Sequence, residues 1–154
     1  MRSEGHIGFN MILAVPVFFF YSGNIYSTGL WIWFIFFIGM ATWPDIDLKF
    51  ELKHRGYTHT ILGALFFGIV SGLIMYSQPK YILYSFLGGF LGTLGHIVGD
   101  LLTYLKFRPL WPLSNKKFAL GLFRADDRNI NMMFLKIGTI LFTTTLLFKL
   151  LKQY

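Results

Sequence analysis

The side chains of this chain that could carry out chemistry are concentrated in residues 43–60, a polar stretch between two long apolar runs. Its candidate metal ligands, with one arginine among them, are Asp45, Asp47, His54, Arg55 and His59. Ionisable side chains beside membrane-length hydrophobic segments are rare and mark sites of ion binding or catalysis. Because the chain has no cysteine, a metal here would be held by imidazole nitrogens and carboxylate oxygens. The stretch therefore predicts one half of a metal site.

A second pair of candidate ligands, His96 and Asp100, supplies the other half. The two residues are four positions apart in an apolar segment, so they lie on one face if the segment is a helix. Two ligands at this spacing can bind one metal ion, as paired histidines do in helical zinc motifs. The alternative is a buried hydrogen bond between His96 and Asp100 that packs helices without metal. We favour metal binding, since ionisable residues inside membrane spans are usually functional.

Each residue of the first half also has a structural interpretation. Asp45 and Asp47 follow a Trp-Pro pair, where a helix is expected to stop, and could reach one ion from an irregular turn, although Asp is also a common helix cap. His59 opens an apolar segment, a poor place for a stray imidazole, whereas His54 could equally be an exposed loop residue. Arg55 could bind a phosphate or carboxylate through paired hydrogen bonds, or could be only a topology charge.

Long apolar segments must position these side chains. Hydrophobic residues make up 55% of the chain and charged residues 14%, with a mean hydropathy of +0.56, whereas a soluble domain carries about 25% charged residues. We predict an all-α fold, a polytopic transmembrane bundle of about five helices in a single domain, with a long cytoplasmic-side loop between helices 4 and 5. The apolar segments run approximately over residues 7–21, 28–42, 59–77, 81–105 and 130–151. Close helix approach in the fourth segment is predicted by Gly88, Gly89, Gly92, Gly95 and Gly99.

The basic residues predict the orientation in the membrane. The chain has a formal net charge of +7, and most of its Lys and Arg residues lie in the loops around 49–55 and 106–128. Because positive residues accumulate in cytoplasmic loops, we expect both loops and the N-terminus in the cytoplasm, with His6 at the depth of the two half-sites. The 106–129 loop either contributes to function or lies against lipid as an amphipathic loop. Nucleic-acid binding is not expected, since no basic helix or aromatic-interleaved module is present.

The candidate ligands outnumber those that one tetrahedral zinc ion needs. The predicted metal ligands are His6, Asp45, Asp47, His59, His96 and Asp100. This number fits two divalent ions about 3.5–4 Å apart, zinc or manganese, with magnesium as an alternative. The predicted catalytic residues are Asp47, Arg55 and His54, with Asp47 a candidate general base and Arg55 a residue that orients substrate. We interpret Asp126 and Asp127 as solvated loop charges.

Five stretches of the chain resemble the YdjM family, described as membrane-bound, inner-membrane-associated, metal-dependent hydrolases that are LexA-regulated in enterobacteria. In family order they are EGHIGF at 4–9, PDID at 44–47, HRGYTHT at 54–60, GHIVGDLLT at 95–103 and PLWPL at 109–113. The resemblance implies metal-dependent hydrolysis at the cytoplasmic face of the inner membrane. By position it points to His6, Asp45, Asp47, His54, Arg55, His59, His96 and Asp100. The chain departs from the family pattern in two places. The segment between Asp47 and His54 is shorter than in the enterobacterial form. The resemblance also implies an acidic residue after PLWP, and residues 126–131 contain no secure counterpart of it.

The leading hypothesis is a metal-dependent hydrolase that acts on a lipid or lipid-linked substrate, with a phosphoester favoured over a carboxyl ester. It rests on a metal site at headgroup depth beside a basic loop. The alternative is a non-enzymatic protein that binds or transports metal, and transport would need a polar path continuing to the far side of the bundle. A third interpretation is a structural stress-response membrane protein without metal. Whether the chain forms a homo-oligomer is left open by the sequence.

Overall fold

The computed structural model, which describes residues 1–48 and 55–152, contains five α-helices. They are α1 (Ser3–Phe20), α2 (Thr28–Gly39), α3 (Ile61–Ile74), α4 (Ile82–Leu101) and α5 (Arg128–Lys152). Short 3₁₀ helices lie at Trp43–Leu48, Tyr57–His59 and Pro79–Tyr81. The described residues include two isolated β-bridges but no strand. The predicted all-α fold is confirmed.

Three segments are long and apolar enough, by length and composition, to cross a membrane: Ser3–Phe20, Pro79–Leu101 and Arg128–Lys152. Helices α2 and α3 are also apolar but have only 12 and 14 residues, fewer than the roughly 20 that span the hydrocarbon core. Large side chains on α3, such as Phe66 and Leu73, are exposed. An apolar surface of this kind suits contact with lipid.

Helix α4 packs against three neighbours, and its glycines make room for them. A Cβ atom at Gly88 or Gly92 would overlap carbonyl oxygens of α2, and one at Gly89 would overlap the Ser71 hydroxyl on α3. A Cβ at Gly95 would overlap the Asn10 side chain on α1. The predicted close approach of helices in this segment is confirmed, and it brings the C-terminal end of α4 against the start of α1.

Helix α1 joins the two halves of the bundle. Gly8 of α1 and Gly138 of α5 meet so closely that a Cβ on either would overlap the backbone of the other helix. On another face of α1, the buried Asn10 amide donates hydrogen bonds to the carbonyl oxygens of Phe37 (3.2 Å) and Gly92 (2.9 Å). These bonds fix α1 to α2 and α4 at one height, which sets the position of His6 one turn earlier.

The buried interior changes character along the bundle. At one end, Phe18, Trp33 and Phe142 form an apolar cluster with Ile25. At the other end, where α1 begins and α4 ends, the fully buried side chains include five that are ionisable, namely His6, His59, His96, Asp47 and Asp100. A buried polar group is costly unless it is hydrogen-bonded or binds an ion. The polar end is therefore where a function is expected.

The long connection between α4 and α5 folds back onto the polar end. The backbone N–H groups of Leu120 and Leu122 donate to the carbonyl oxygens of Leu101 (2.6 Å) and Leu102 (2.8 Å), and Phe107 pairs with Phe118. The Phe107 side chain is buried against the site, whereas Leu113 is 88% exposed. The connection therefore covers the end of α4 and also presents apolar side chains outward.

Candidate metal centre

Four side chains from three parts of the chain converge at the polar end of the bundle. Asp45, His59, His96 and Asp100 each offer a ligand atom, and these four atoms lie within 4.8 Å of one another. Asp45 comes from the 3₁₀ helix after α2, His59 from the 3₁₀ helix before α3, and the other two from adjacent turns of α4. The spacing of His96 and Asp100 thus places both on the inward face of one helix, as expected.

The distances between these atoms match those around a bound ion. The Nε2 atom of His59 lies 3.0 Å from Nε2 of His96, 3.3 Å from Asp45 Oδ1 and 3.4 Å from Asp100 Oδ2. The Nε2 atom of His96 lies 3.5 and 3.8 Å from the same two carboxylate oxygens. Ligands about 2.1 Å from a tetrahedral zinc-like ion are about 3.4 Å apart. Five of the six distances among the four atoms are therefore close to those around one divalent cation, and the two carboxylate oxygens lie within 4.8 Å of each other.

A hydrogen bond orients His96 for metal binding. Its Nδ1 atom lies 2.8 Å from the carbonyl oxygen of Ala41, and a carbonyl can only accept, so Nδ1 carries the hydrogen. In the neutral ring, the lone pair is then on Nε2, which points into the four-residue group. Histidines that bind metals are commonly held in this way by a backbone carbonyl on the opposite ring nitrogen.

His59 is oriented by a second relay. The Thr58 hydroxyl donates to Asp47 Oδ2 (3.0 Å) and accepts from Nδ1 of His59 (2.9 Å), while the same Asp47 oxygen lies 3.4 Å from that nitrogen. Asp47 also accepts a hydrogen bond from the backbone N–H of Arg55 (3.2 Å). The Nδ1 hydrogen thus points toward Asp47, which leaves Nε2 with its lone pair when the ring is neutral. Two lone pairs facing each other at 3.0 Å, those of His59 and His96, require a proton or a cation between them.

Asp100 is surrounded by groups that stabilise its negative charge. Its Oδ1 atom accepts a hydrogen bond from the Arg55 guanidinium (2.8 Å), contacts the amino nitrogen of Met1 and lies 3.4 Å from Nε2 of His6. Its other oxygen, Oδ2, faces the two central histidines and has no hydrogen-bond partner among the described residues. Oδ2 is therefore the oxygen available to a cation in the four-residue group.

The Arg55 side chain is buried in the protein and does not extend from the loop into solvent. Its side chain is 3% exposed and also donates to the Thr103 hydroxyl (3.1 Å) and the Leu105 carbonyl (2.8 Å), and the guanidinium lies over the Phe107 ring. The residue has a φ of 56°, which is rare for a side chain of this size and marks a position where surrounding contacts impose the backbone. These contacts make Arg55 a residue that positions Asp100, and its Nε has no partner among the described residues.

His6 lies beside the four-residue group. Its ring stacks on that of His96 with 3.7 Å between centroids and an angle of 13°. Both of its ring nitrogens are fully buried without a hydrogen-bond partner among the described residues. Buried polar atoms in proteins are usually satisfied by a protein group, a water or an ion. His6 and Oδ1 of Asp100 are thus the groups on which a second ion could bind.

The surroundings of His59 and Asp45, which lie in the two 3₁₀ helices of the site, shift the pKa values of both side chains. Burial lowers the pKa of His59, but hydrogen bonds with Asp100 and Asp45 outweigh it and raise the pKa above its ordinary value. Burial raises the pKa of the Asp45 carboxyl, yet the hydrogen bond from His59 and the nearby His96 ring bring that pKa below its ordinary value. Both shifts favour the charged forms, so a positive charge on His59 and the negative charge of Asp45 stabilise each other.

The structure brings together most of the residues singled out from the sequence. Of the predicted ligands, four form the group, His6 stacks against it, and Asp47 lies behind His59. His54 lies outside the described residues, so its predicted catalytic role stays a prediction. Asp126 pairs with Arg124 at the surface, and Asp127 accepts the backbone N–H groups of Asn129 and Ile130 at the start of α5, away from the site.

Several supporting residues were not expected from the sequence. Thr58 carries the relay to Asp47, Thr103 holds the Arg55 guanidinium, and Phe107 seals the site. Thr58 and Thr103 both lie within the two family-like motifs around His59 and Asp100. Because both threonines are close in sequence to candidate ligands, a supporting role could have been considered for them. The groups that their hydroxyls contact, however, are determined by the folded arrangement.

Comparisons with known proteins identify the family of the chain. The family described as YdjM inner membrane protein matches residues 1–153. The chain belongs to the YdjM family. Its membership confirms the resemblance seen in the motifs, and the family description together with the apolar helices supports an inner membrane protein.

The chain is also similar to a curated bacterial protein. The chain is 32% identical over 95 residues to YfhP of Bacillus subtilis (strain 168), which is described as an uncharacterized protein. The aligned part covers 54% of this chain and 29% of that relative. No solved structure matches the chain. The geometry of the site is therefore the basis on which a function can be inferred.

Proposed function

We propose that the protein is a metal-dependent membrane hydrolase that acts on a lipid or lipid-linked substrate, with a phosphoester favoured over a carboxyl ester. The observation that carries the proposal is the convergence of Asp45, His59, His96 and Asp100, in which the Nε2 atoms of the two histidines face each other at 3.0 Å. Two nitrogen and two oxygen ligands suit zinc or manganese. A divalent ion bound there would lower the pKa of a coordinated water and polarise an ester oxygen.

The residues around the four-residue group have distinct roles in this proposal. Asp45 is 19% exposed, more than the other three, so its side is where water and substrate approach. Asp47 orients His59 through Thr58, and Arg55 positions Asp100 while its Nε remains available to an anionic substrate. The predicted role of Asp47 as a direct ligand or general base is less favoured by these contacts.

The number of ions is a separate part of the proposal. The four-residue group accounts for one ion. The second predicted ion would be held by His6 and Asp100, and it would supply further positive charge to stabilise a developing oxyanion. The unpartnered nitrogens of His6 support this assignment.

The membrane setting supports a lipid substrate on the cytoplasmic side. The site lies at one end of the helices, which is the depth of lipid headgroups if α1, α4 and α5 span the bilayer. The connection beside it carries Lys106, Arg108, Lys116, Lys117 and Arg124. Positive residues accumulate on the cytoplasmic side of membranes, so we assign this end of the bundle to the cytoplasm.

The test combines elemental analysis with an activity assay on the purified protein. We expect bound zinc or manganese and hydrolysis of at least one member of a panel of phospholipids and lipid-linked phosphates. Asp100→Asn should lose both, whereas Asp126→Asn, a surface carboxylate, should keep both. An Asp100→Asn protein as active as the parent would contradict the mechanism.

A second candidate function is metal binding without catalysis. The four protein ligands would satisfy a tetrahedral ion completely, which is typical of structural rather than catalytic zinc sites. Tightly bound metal with no hydrolysis across the panel would favour this alternative. Metal flux in proteoliposomes would extend it to transport.

A further inference from the structure

A cavity of about 360 Å³ lies beside the candidate metal centre, between residues 55–60 and the α4–α5 connection. We propose that this cavity binds the anionic, phosphate-bearing headgroup of a membrane lipid and discriminates against headgroups that carry a cation. The inference deepens the proposed function and rests on it for the lipid being a substrate. The residues that carry it are Arg55, Lys106, Arg108, Lys117, Tyr57 and Trp111.

The charge of the cavity wall points to an anion. Four of its lining residues are cationic and none is acidic. Among the described residues, Lys106, Arg108 and Lys117 have no carboxylate within ion-pair distance, so their charge is not neutralised by the protein there. A concave surface lined by one sign of charge concentrates ions of the opposite sign. A phosphate is the expected anion because arginine and lysine are its usual partners in proteins.

Arg55 connects the cavity to the metal centre. Its guanidinium holds Asp100 through one nitrogen, while the Nε atom, on a side chain only 3% exposed, has no partner in the described part of the chain. A buried N–H without a partner is costly, and a phosphate oxygen would satisfy it. An anion bound in this cavity would thus share an arginine with a predicted metal ligand, which places its ester bonds near the proposed centre.

Aromatic and aliphatic side chains around the cavity favour a lipid over a free phosphate. The Tyr57 and Trp111 rings meet edge to face at 4.7 Å on the cavity wall, and the backbone there is fixed by a hydrogen bond from Ile61 N–H to the Pro109 carbonyl (2.9 Å). Leu105, another wall residue, is 55% exposed. Tyr and Trp are enriched where membrane proteins meet the headgroup region. This combination of cations and apolar surface matches a phosphate attached to acyl chains.

The same charges predict selectivity. A choline or ethanolamine group would bring a positive charge against Lys106, Arg108 and Lys117, three cations of the cavity wall without a carboxylate partner among the described residues, which is unfavourable in a partly desolvated site. Discrimination of this kind is produced by repulsion of the wrong ligand as much as by attraction of the right one. Anionic lipids such as phosphatidate or phosphatidylglycerol should therefore bind in preference to phosphatidylcholine.

The experiment measures binding without metal and without turnover. Chelator-treated protein in detergent is titrated with dihexanoyl phosphatidate, dihexanoyl phosphatidylcholine and inorganic phosphate, and bound lipid is quantified by native mass spectrometry. The cavity variant combines Lys106→Gln, Arg108→Gln and Lys117→Gln. The matched control combines Lys116→Gln, Arg124→Gln and Arg128→Gln, which removes the same charge from residues outside the cavity.

We expect the parent and the control to bind phosphatidate at least about tenfold more tightly than phosphatidylcholine, and the cavity variant to lose that preference. Equal loss in both variants, or none in the cavity variant, would overturn the inference. Binding of inorganic phosphate as tight as that of phosphatidate would refute a lipid ligand. A protein that prefers phosphatidate but hydrolyses none of the lipids would support the binding site and contradict the proposed hydrolase. Failure of the binding site is therefore distinguishable from failure of the proposed function.

Discussion

Replacing Asp47 tests whether the buried carboxylate acts through His59 rather than on the metal directly. Asp47 is 1% exposed, accepts a hydrogen bond from Thr58 (3.0 Å) and lies 3.4 Å from Nδ1 of His59. Loss of such an orienting partner weakens metal binding about 10- to 100-fold, or about 1.4–2.7 kcal/mol. Asp47→Asn keeps an acceptor oxygen but removes the charge, so its metal affinity should fall by about 10-fold. Asp47→Ala removes both, so its metal affinity should fall by about 100-fold.

The assay is competition for zinc and manganese between the purified protein and a chelating fluorescent indicator, at fixed pH and ionic strength. His96→Ala removes a proposed ligand and should abolish measurable binding at the four-residue group. Asp126→Asn, whose side chain is 72% exposed, is the matched control and should bind as the parent does. Circular dichroism and size-exclusion chromatography verify that each variant retains its helices.

The graded series distinguishes three outcomes. A partial loss in Asp47→Asn with complete loss in His96→Ala supports the relay. Complete loss in Asp47→Asn would make Asp47 a direct ligand, as the sequence alone had predicted. Unchanged affinity in both Asp47 variants would refute the reasoning from hydrogen bonds to metal affinity.

Three further predictions concern metal number, stability and packing. His6→Ala should lower bound metal from two ions to one per chain by elemental analysis, and a parent protein with a single ion would reject the second site. Chelator should destabilise the parent by about 2.7 kcal/mol for each site whose metal had been present at 100 times its Kd, whereas the Tm of His96→Ala, which lacks the four-residue site, should fall less when chelator is added. Gly92→Leu should destabilise the fold by about 1–3 kcal/mol or prevent it, because its side chain would overlap α2, while Gly39→Ala, where a Cβ meets nothing within 4 Å, should have little effect on thermal unfolding.

Those parts of the fold that depend on local pattern could be predicted from the sequence. The apolar segments predicted five helices whose observed bounds differ by a few residues, and the glycines of α4 predicted its close neighbours. The four-residue spacing of His96 and Asp100 predicted a shared helix face. Charge in the loops then predicted that residues distant in sequence would lie at one depth, which is enough to anticipate the meeting of His59 with His96.

The orientation of individual side chains could not be predicted in the same way. Arg55 was expected to face substrate, yet its guanidinium is mostly engaged by Asp100, Thr103 and Leu105. These partners come from the end of α4, about 50 residues further along the chain, and a sequence pattern does not encode such contacts. For the same reason, the difference between Asp45 in the four-residue group and Asp47 behind His59 emerges only from the folded turn.

The measurement that tests the central claim most directly is a crystal structure of the purified protein with anomalous scattering data collected at the zinc and manganese edges. The account predicts an anomalous peak bounded by Asp45, His59, His96 and Asp100, at about 2.0–2.2 Å from each ligand atom. Absence of any peak there, with His59 and His96 joined only by a shared hydrogen, would contradict it.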